Sequence, residues 1–100
     1  MPTKSHSKDL KKRLKSASYA SKYLRIAFGS GDEAGFLLAL KNVVDAHGGV
    51  SAISRKSEIT RQHIHRALKE GGNPTLATLR AILSAVGLSL DFTPEKRIAA

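Results

Sequence analysis

The side chains best suited to recognition chemistry cluster between positions 60 and 69 of this sequence. If the segment is a helix with about 100° per residue, four polar side chains share one half of its surface: Arg61, Gln62, His65 and Arg66. Three apolar side chains share the other half: Ile64, Ala67 and Leu68. Arginine can form two hydrogen bonds with guanine and glutamine two with adenine, and histidine can donate to a base or a phosphate. The segment is therefore typical of a helix that reads a major groove, although a solvated helix face has the same pattern.

A second helix must hold this segment in place. Residues 50–57 have the composition of a short helix, and the Ser-Glu-Ile sequence at 57–59 predicts a tight turn after it. The hydroxyl of Thr60 can then accept a hydrogen bond from an unpaired N–H in the first turn of the following helix. We therefore predict two short helices joined by a turn.

The charge of the chain is strongly positive and unevenly distributed. The formal net charge of the 100 residues is +9 at pH 7. Residues 1–25 contain eight Lys and Arg against one Asp, which leaves +7 there and +2 in the other 75 residues. This distribution favours a polyanion such as nucleic acid as the partner. The alternative is a charge excess that only keeps the protein in solution.

Several classes of site are disfavoured by the composition. The lack of cysteine excludes disulfides and thiolate metal sites, and His63 and His65 would point in nearly opposite directions from a helix. No motif pairs a nucleophile with a base, so we expect no enzyme, catalytic residue, cofactor or metal. The longest apolar run, at 36–40, is too short to span a membrane, and the N-terminus lacks the apolar stretch of a signal peptide. We therefore expect a cytoplasmic protein without a membrane partner.

Helix signals divide the chain into four parts. They are a disordered basic arm at 1–8, a helical extension at 9–31, the main domain at 32–93 and a tail at 94–100. The extension is expected to contain a short helix at 9–14 and a second at 17–28, with Ser16 as its N-cap. Lysines of the first helix could contact phosphates, or could equally form the solvated side of a peripheral helix.

The main domain is expected to begin with a central core helix. Asp32 is a suitable N-cap for it, and Gly48 is placed to close it in a left-handed conformation after position 46. A last helix is predicted at 76–86, capped by Thr75 or by Asn73, with Leu76 among its inward residues.

The segment 88–93 alternates apolar and polar residues, which predicts one β-strand. Leu88, Leu90 and Phe92 would share one face of it. A single strand is unstable without a partner, so we predict pairing with the same strand of a second copy in a two-fold dimer. An extended tail lying on the core is the alternative.

Three stretches of the sequence resemble a known family. They are Gly49-Val-Ser, Ile59-Thr-Arg and the run Gly72-Asn-Pro-Thr-Leu-Ala-Thr-Leu-Arg-Ala-Ile-Leu. They are similar to the lambda-repressor-like helix-turn-helix fold, and with residues 14–24 and 31–40 they resemble the addiction-module antidote proteins, which are HigA-like antitoxins. The likeness covers residues 10–92. With the strand, the predicted fold is an all-α bundle of about five helices that has an N-terminal helical extension and one short C-terminal β-strand.

The resemblance also implies site residues and a partner. The base-reading positions of the family correspond to Arg61, Gln62 and Arg66, beside which His65 is a further candidate. The positions suited to phosphate contact are the following: Ser51, Arg55, Thr60 and Lys69. A cognate toxin of the RelE/HigB-like ribonuclease superfamily is the implied protein partner.

Two residues depart from the pattern of the family. The pattern prefers alanine at position 54 and glycine at position 58, where this chain has Ser54 and Glu58. Serine is small enough to fit between two helices, whereas a glutamate at positive φ costs roughly 1 kcal/mol. The sequence therefore predicts a slightly altered turn. The positive net charge is unexpected for a protein that neutralises a basic toxin.

The sequence thus predicts a homodimeric, sequence-specific DNA-binding repressor that acts as an antitoxin and represses its own operon. Its palindromic operator would have half-sites about 34 Å apart. Two alternatives stay open. The first is a protein-interaction module that uses the N-terminal helices and has little DNA binding. The second is a nonspecific nucleic-acid binder that uses the basic arm.

Overall fold

The fold is that of a computed structural model, which describes residues 4–95, with side chains described from residue 8 onward. These residues form six helices and no strand: α1 Lys4–Leu14, α2 Ala17–Gly29, α3 Glu33–Ala46, α4 Gly49–Ser57, α5 Arg61–Leu68 and α6 Leu76–Ala85. The all-α class predicted from the sequence is confirmed. None of the described helices is long and apolar enough to cross a membrane.

Helix α1 is longer than the sequence indicated. It begins at Lys4 rather than near position 9, so residues 4–8 are helical where a disordered arm was predicted. Lysine is a good helix former, and Asp9 pairs with Arg13 one turn later at 3.0 Å. The rest of the predicted arm, at 1–3, lies outside the described residues, as does the end of the predicted tail at 96–100.

Helices α2 and α3 form an antiparallel hairpin. The Ser16 hydroxyl accepts a hydrogen bond from the Tyr19 N–H, which confirms the predicted N-cap of α2. Near the loop, the two helices contact each other through the rings of Phe28 and Phe36. The ring centroids lie 5.2 Å apart and the ring planes are inclined at 77°. Farther from the loop, the amide of Asn42 in α3 donates a hydrogen bond to the Tyr23 hydroxyl in α2 at 2.9 Å.

Helix α3 is the centre of the domain, as predicted. It packs against α1, α2, α4 and α5, and four of its large apolar residues are buried: Leu37, Leu40, Val43 and Val44. Gly48 follows with φ of 103°, the left-handed conformation expected of it. Each of the other five helices also contributes at least one buried residue to the core. These residues are Leu14, Ala20, Leu24, Ile53, Ile64, Leu68, Ile82 and Leu83.

The predicted C-terminal β-strand is wrong for this chain. Helix α6 ends at Ala85 with Val86 as its C-cap, and Gly87 with φ of 82° turns the backbone back. The Leu88 N–H then donates to the Leu83 carbonyl at 2.8 Å, so residue 88 closes the helix end instead of starting a strand. Within the described part of the chain, residues 89–95 are exposed and lie in no strand ladder. The alternating pattern predicted a strand, but no other segment of the described chain lies alongside residues 88–93 to form a sheet with them.

One inward residue of α6 was also predicted wrongly. Leu76 is 65% exposed, although Ile82 and Leu83 later in the helix are buried. Leu76 is the first residue of α6, directly after the Thr75 N-cap. The periodic pattern of apolar residues therefore extends one turn beyond the part of α6 that reaches the core.

Candidate nucleic-acid interface

The candidate interface is built on α4 and α5, two short helices joined by residues 58–60. Thr60 is the N-cap of α5, and its hydroxyl accepts a hydrogen bond from the His63 N–H at 3.1 Å, as predicted. Three buried side chains anchor the pair to the core: Ile53, Ile64 and Leu68. The position of α5 is thus fixed by a cap at its start and by apolar packing along one side.

The turn between the helices contains the strained residue that the sequence indicated. Glu58 has φ of 64°, and it is the one residue other than glycine with positive φ in the described chain. Its N–H donates to the Ser54 carbonyl at 2.9 Å, which ends α4. The Ser54 hydroxyl in turn donates to the Ile59 carbonyl, and the Ile59 N–H donates to the Ser57 hydroxyl. The serine at position 54 therefore ties both sides of the turn, which the alanine preferred by the family could not do.

The predicted sidedness of α5 is confirmed. All four candidate base readers are exposed: Arg61, Gln62, His65 and Arg66. All three residues predicted to face inward are buried: Ile64, Ala67 and Leu68. The polar face of α5 is thus open to solvent, while the role of these side chains as base readers stays a prediction.

The predicted phosphate-contacting residues do not form one cluster. Ser51, in the first turn of α4, accepts a hydrogen bond from Nη1 of Arg61 at 3.4 Å. Thr60 directly precedes Arg61 in the sequence. Its hydroxyl oxygen accepts the N-cap hydrogen bond, so the hydroxyl proton can still be donated to a phosphate. Arg55 lies in the last turn of α4 and Lys69 at the other end of α5, and both are exposed. The structure therefore brings together the start of α4 and the start of α5.

Sequence reasoning did not assign a role to His63. Its Nε2 lies 3.3 Å from the Thr78 hydroxyl, which also accepts a hydrogen bond from the Thr75 hydroxyl at 2.9 Å. Thr78 is the buried polar residue of α6, and Thr75 is the N-cap of that helix. His63 thus connects the flank of α5 to the start of α6. The two threonines three positions apart were a signal of a cap, but nothing in the sequence indicated that His63 would reach them.

Side chains able to bind a metal ion are dispersed in the part of the chain that the structure describes. No three His, Cys, Asp or Glu side chains there lie close enough together to hold a metal ion. A groove lies instead between α3 and the end of α5, and its wall includes Leu38, Lys41, His65 and Lys69.

Comparison with known proteins places the chain in one family. The model of a family described as "Probable addiction module antidote protein" matches residues 4–94. Comparisons with curated proteins and with solved structures give no significant match. The family match spans all six helices, including the predicted N-terminal extension and the α4–α5 pair. The chain therefore belongs to the addiction module antidote family.

Proposed function

We propose that this chain is the antitoxin of a toxin–antitoxin pair and that it represses its own operon by binding DNA through α5. In this proposal α4 and α5 form a lambda-repressor-like helix-turn-helix unit, and two copies bind a palindromic operator. The chain also neutralises a RelE/HigB-like toxin. The family supports the antitoxin role, and the geometry of α5 supports the DNA-binding role.

The observation that carries the DNA-binding role is the exposed polar face of α5 beside the start of α4. Arg61 and Gln62 open the helix, and it is the N-terminal residues of a recognition helix that contact base edges in a major groove. The Arg61 guanidinium lies 3.4 Å from the Ser51 hydroxyl in the first turn of α4, so the start of α5 adjoins a helix N-terminus, where backbone N–H groups attract phosphate. One end of the unit can thus bind a phosphate while the adjacent side chains reach the bases.

A homodimer follows from the proposed operator symmetry. One helix of eight residues reads only a few base pairs, so a second copy about 34 Å away is needed for a specific site. Leu90 and Phe92 are the apolar side chains that the described C-terminal segment exposes, and Phe92 is 90% exposed. These side chains are candidates for burial by the second copy.

Binding to the DNA upstream of the gene tests the proposal. We expect Arg61→Ala to weaken specific binding by about 1–3 kcal/mol and to relax the preference for one base pair. Lys69→Ala is expected to weaken binding to all sequences similarly and to reduce the slope of log K against log salt concentration by about one. Fluorescence anisotropy with the upstream fragment and a scrambled fragment, at several salt concentrations, measures both effects.

Arg25→Ala is the matched control for these variants. It removes the same charge from an exposed position of α2, which packs against α1 and α3. Equal losses in Arg61→Ala and Arg25→Ala would show that only net charge matters, and would contradict base reading by α5. Equal affinity of the wild-type chain for both fragments would contradict sequence-specific repression itself.

The nonspecific alternative has its own observation and its own test. Four lysines in α1 or directly after it are exposed: Lys8, Lys11, Lys12 and Lys15. Deleting this helix would also remove Leu14, which is buried in the core, so neutralising the four lysines with glutamine is the better test. If the nonspecific alternative holds, the variant loses affinity for both fragments while Arg61→Ala does not.

A further inference from the structure

The outer face of the α2–α3 hairpin carries an apolar patch that the proposed DNA-binding role does not use. Ile26 is 75% exposed and Leu38 59%. Single exposed apolar side chains are common, but two large ones side by side form a surface that a partner can cover. A short apolar groove lies between the two helices at this point, and its lining includes Tyr23, Ile26, Ala27 and Leu38.

The register of the hairpin places the exposed apolar residues of α2 and α3 opposite each other. Phe28 contacts Phe36 and Tyr23 contacts Asn42, so the helices are antiparallel and Ile26 lies opposite Leu38.

Two lysines occupy the next turn of the same faces. Lys22 precedes Ile26 by four positions, and Lys41 follows Leu38 by three. Because the helices are antiparallel, both lysines lie at the same end of the apolar pair, and both are exposed. Asp45 lies one turn beyond Lys41 and is half-buried. The face thus presents an apolar pair followed by two cations.

We propose that the toxin docks on this α2–α3 face with an amphipathic helix. The apolar side chains of this helix cover Ile26 and Leu38, and its carboxylates one turn away lie opposite Lys22 and Lys41. The proposal thus requires a local acidic face on a toxin whose net charge is expected to be positive. This inference rests on the proposed antitoxin role, and it adds which surface is used and which chemistry the partner presents. Charge complementarity of this kind selects the partner and its orientation.

The two lysines also argue against a second copy of the chain as the occupant. A two-fold contact with its axis parallel to the helices would bring Lys22 and Lys41 of both copies together, and like charges in an interface oppose association. A second copy in the opposite orientation avoids this contact and is a separate outcome of the test below. A partner with carboxylates meets no such repulsion. The face lies on α2 and α3, and α2 packs against α1 and α3, so docking there leaves the start of α5 open to DNA.

The test uses the purified full chain and the toxin encoded beside its gene, with binding measured by isothermal titration calorimetry. We expect the double variant Ile26→Asp/Leu38→Asp to bind the toxin at least about 30-fold more weakly, as for the loss of an interface hot spot. Lys22→Glu/Lys41→Glu is expected to weaken binding about tenfold. Leu76→Asp is the matched control, since Leu76 is 65% exposed on another helix, and it is expected to leave toxin binding unchanged.

Binding to upstream DNA and the elution volume of the free protein are measured for every variant. Unchanged DNA binding shows that the Ile26→Asp/Leu38→Asp variant is folded. Toxin binding at wild-type strength by this variant would overturn the inference and leave the antitoxin role intact, as would an equal loss in Leu76→Asp. A homodimer that dissociates only in the double variant would assign the face to a second copy and also overturn it. A wild-type chain that does not bind the toxin would instead refute the antitoxin role itself.

Discussion

Replacing Glu58 with glycine is expected to stabilise the protein. With φ of 64° and ψ of 16°, the Cβ of Glu58 crowds the following carbonyl oxygen, which costs roughly 1–2 kcal/mol in the left-handed region. Glycine removes this strain but loses about 0.4–1 kcal/mol more conformational entropy on folding. The net gain in the free energy of unfolding is therefore about 0.5–1 kcal/mol, which corresponds to an increase of about 2–8 °C in Tm for a domain of this size.

The control for this prediction is Glu58→Ala. Both variants remove the same exposed carboxylate, but alanine keeps the Cβ and therefore the backbone strain. Urea and thermal unfolding, followed by circular dichroism at 222 nm, give the free energy and the Tm of all three proteins. Because both variants lack the carboxylate, the loss of charge cancels in their comparison. If Glu58→Gly were no more stable than Glu58→Ala, the strain assigned to the turn would be refuted.

Two further substitutions test the packing that positions α5 and α1. Ile64→Ala truncates a fully buried side chain and is expected to lower the free energy of unfolding by about 2–5 kcal/mol; a loss below about 1 kcal/mol in urea unfolding would contradict its place in the core. His47→Ala removes the hydrogen bond that Nε2 donates to the Leu14 carbonyl at 3.0 Å, with an expected cost of about 1 kcal/mol. Faster amide hydrogen exchange in α1 than in α6 would support this role of His47, and equal changes in both helices would contradict it.

Local rules were sufficient for much of the fold. A hydroxyl side chain before an apolar periodic segment located the N-caps Ser16 and Thr60, and Thr75 as one of two candidates. Each accepts a hydrogen bond from an N–H in the first turn of its helix. The sidedness of α5 followed from a 3.6-residue period alone. These features depend on residues three or four positions apart, which one sequence displays directly.

The contacts that a single sequence could not supply join residues distant in the chain. His47 reaches the end of α1, and His63 reaches Thr78 across 15 positions. The wrong strand at 88–93 has the same origin, since a strand exists only with a partner backbone and the pattern contains no information about one. Even the short-range bond from Ser54 to the Ile59 carbonyl was missed, because serine at this position was considered only for its size.

The two proposed surfaces meet at one end of α5, which links their functions. Leu38 and Lys41 of the α2–α3 face also line the groove that reaches His65 and Lys69 at the end of α5. A docked toxin helix that extends into this groove would therefore lie beside Lys69, a predicted phosphate contact, and not at Arg61, which does not line the groove. We expect bound toxin to weaken operator binding and to reduce its salt dependence by about one phosphate contact, while the preference of the operator over a scrambled fragment is kept. Anisotropy titrations of both fragments with saturating toxin measure this, and a loss of sequence preference with an unchanged salt slope would show that the toxin acts at the start of α5 instead.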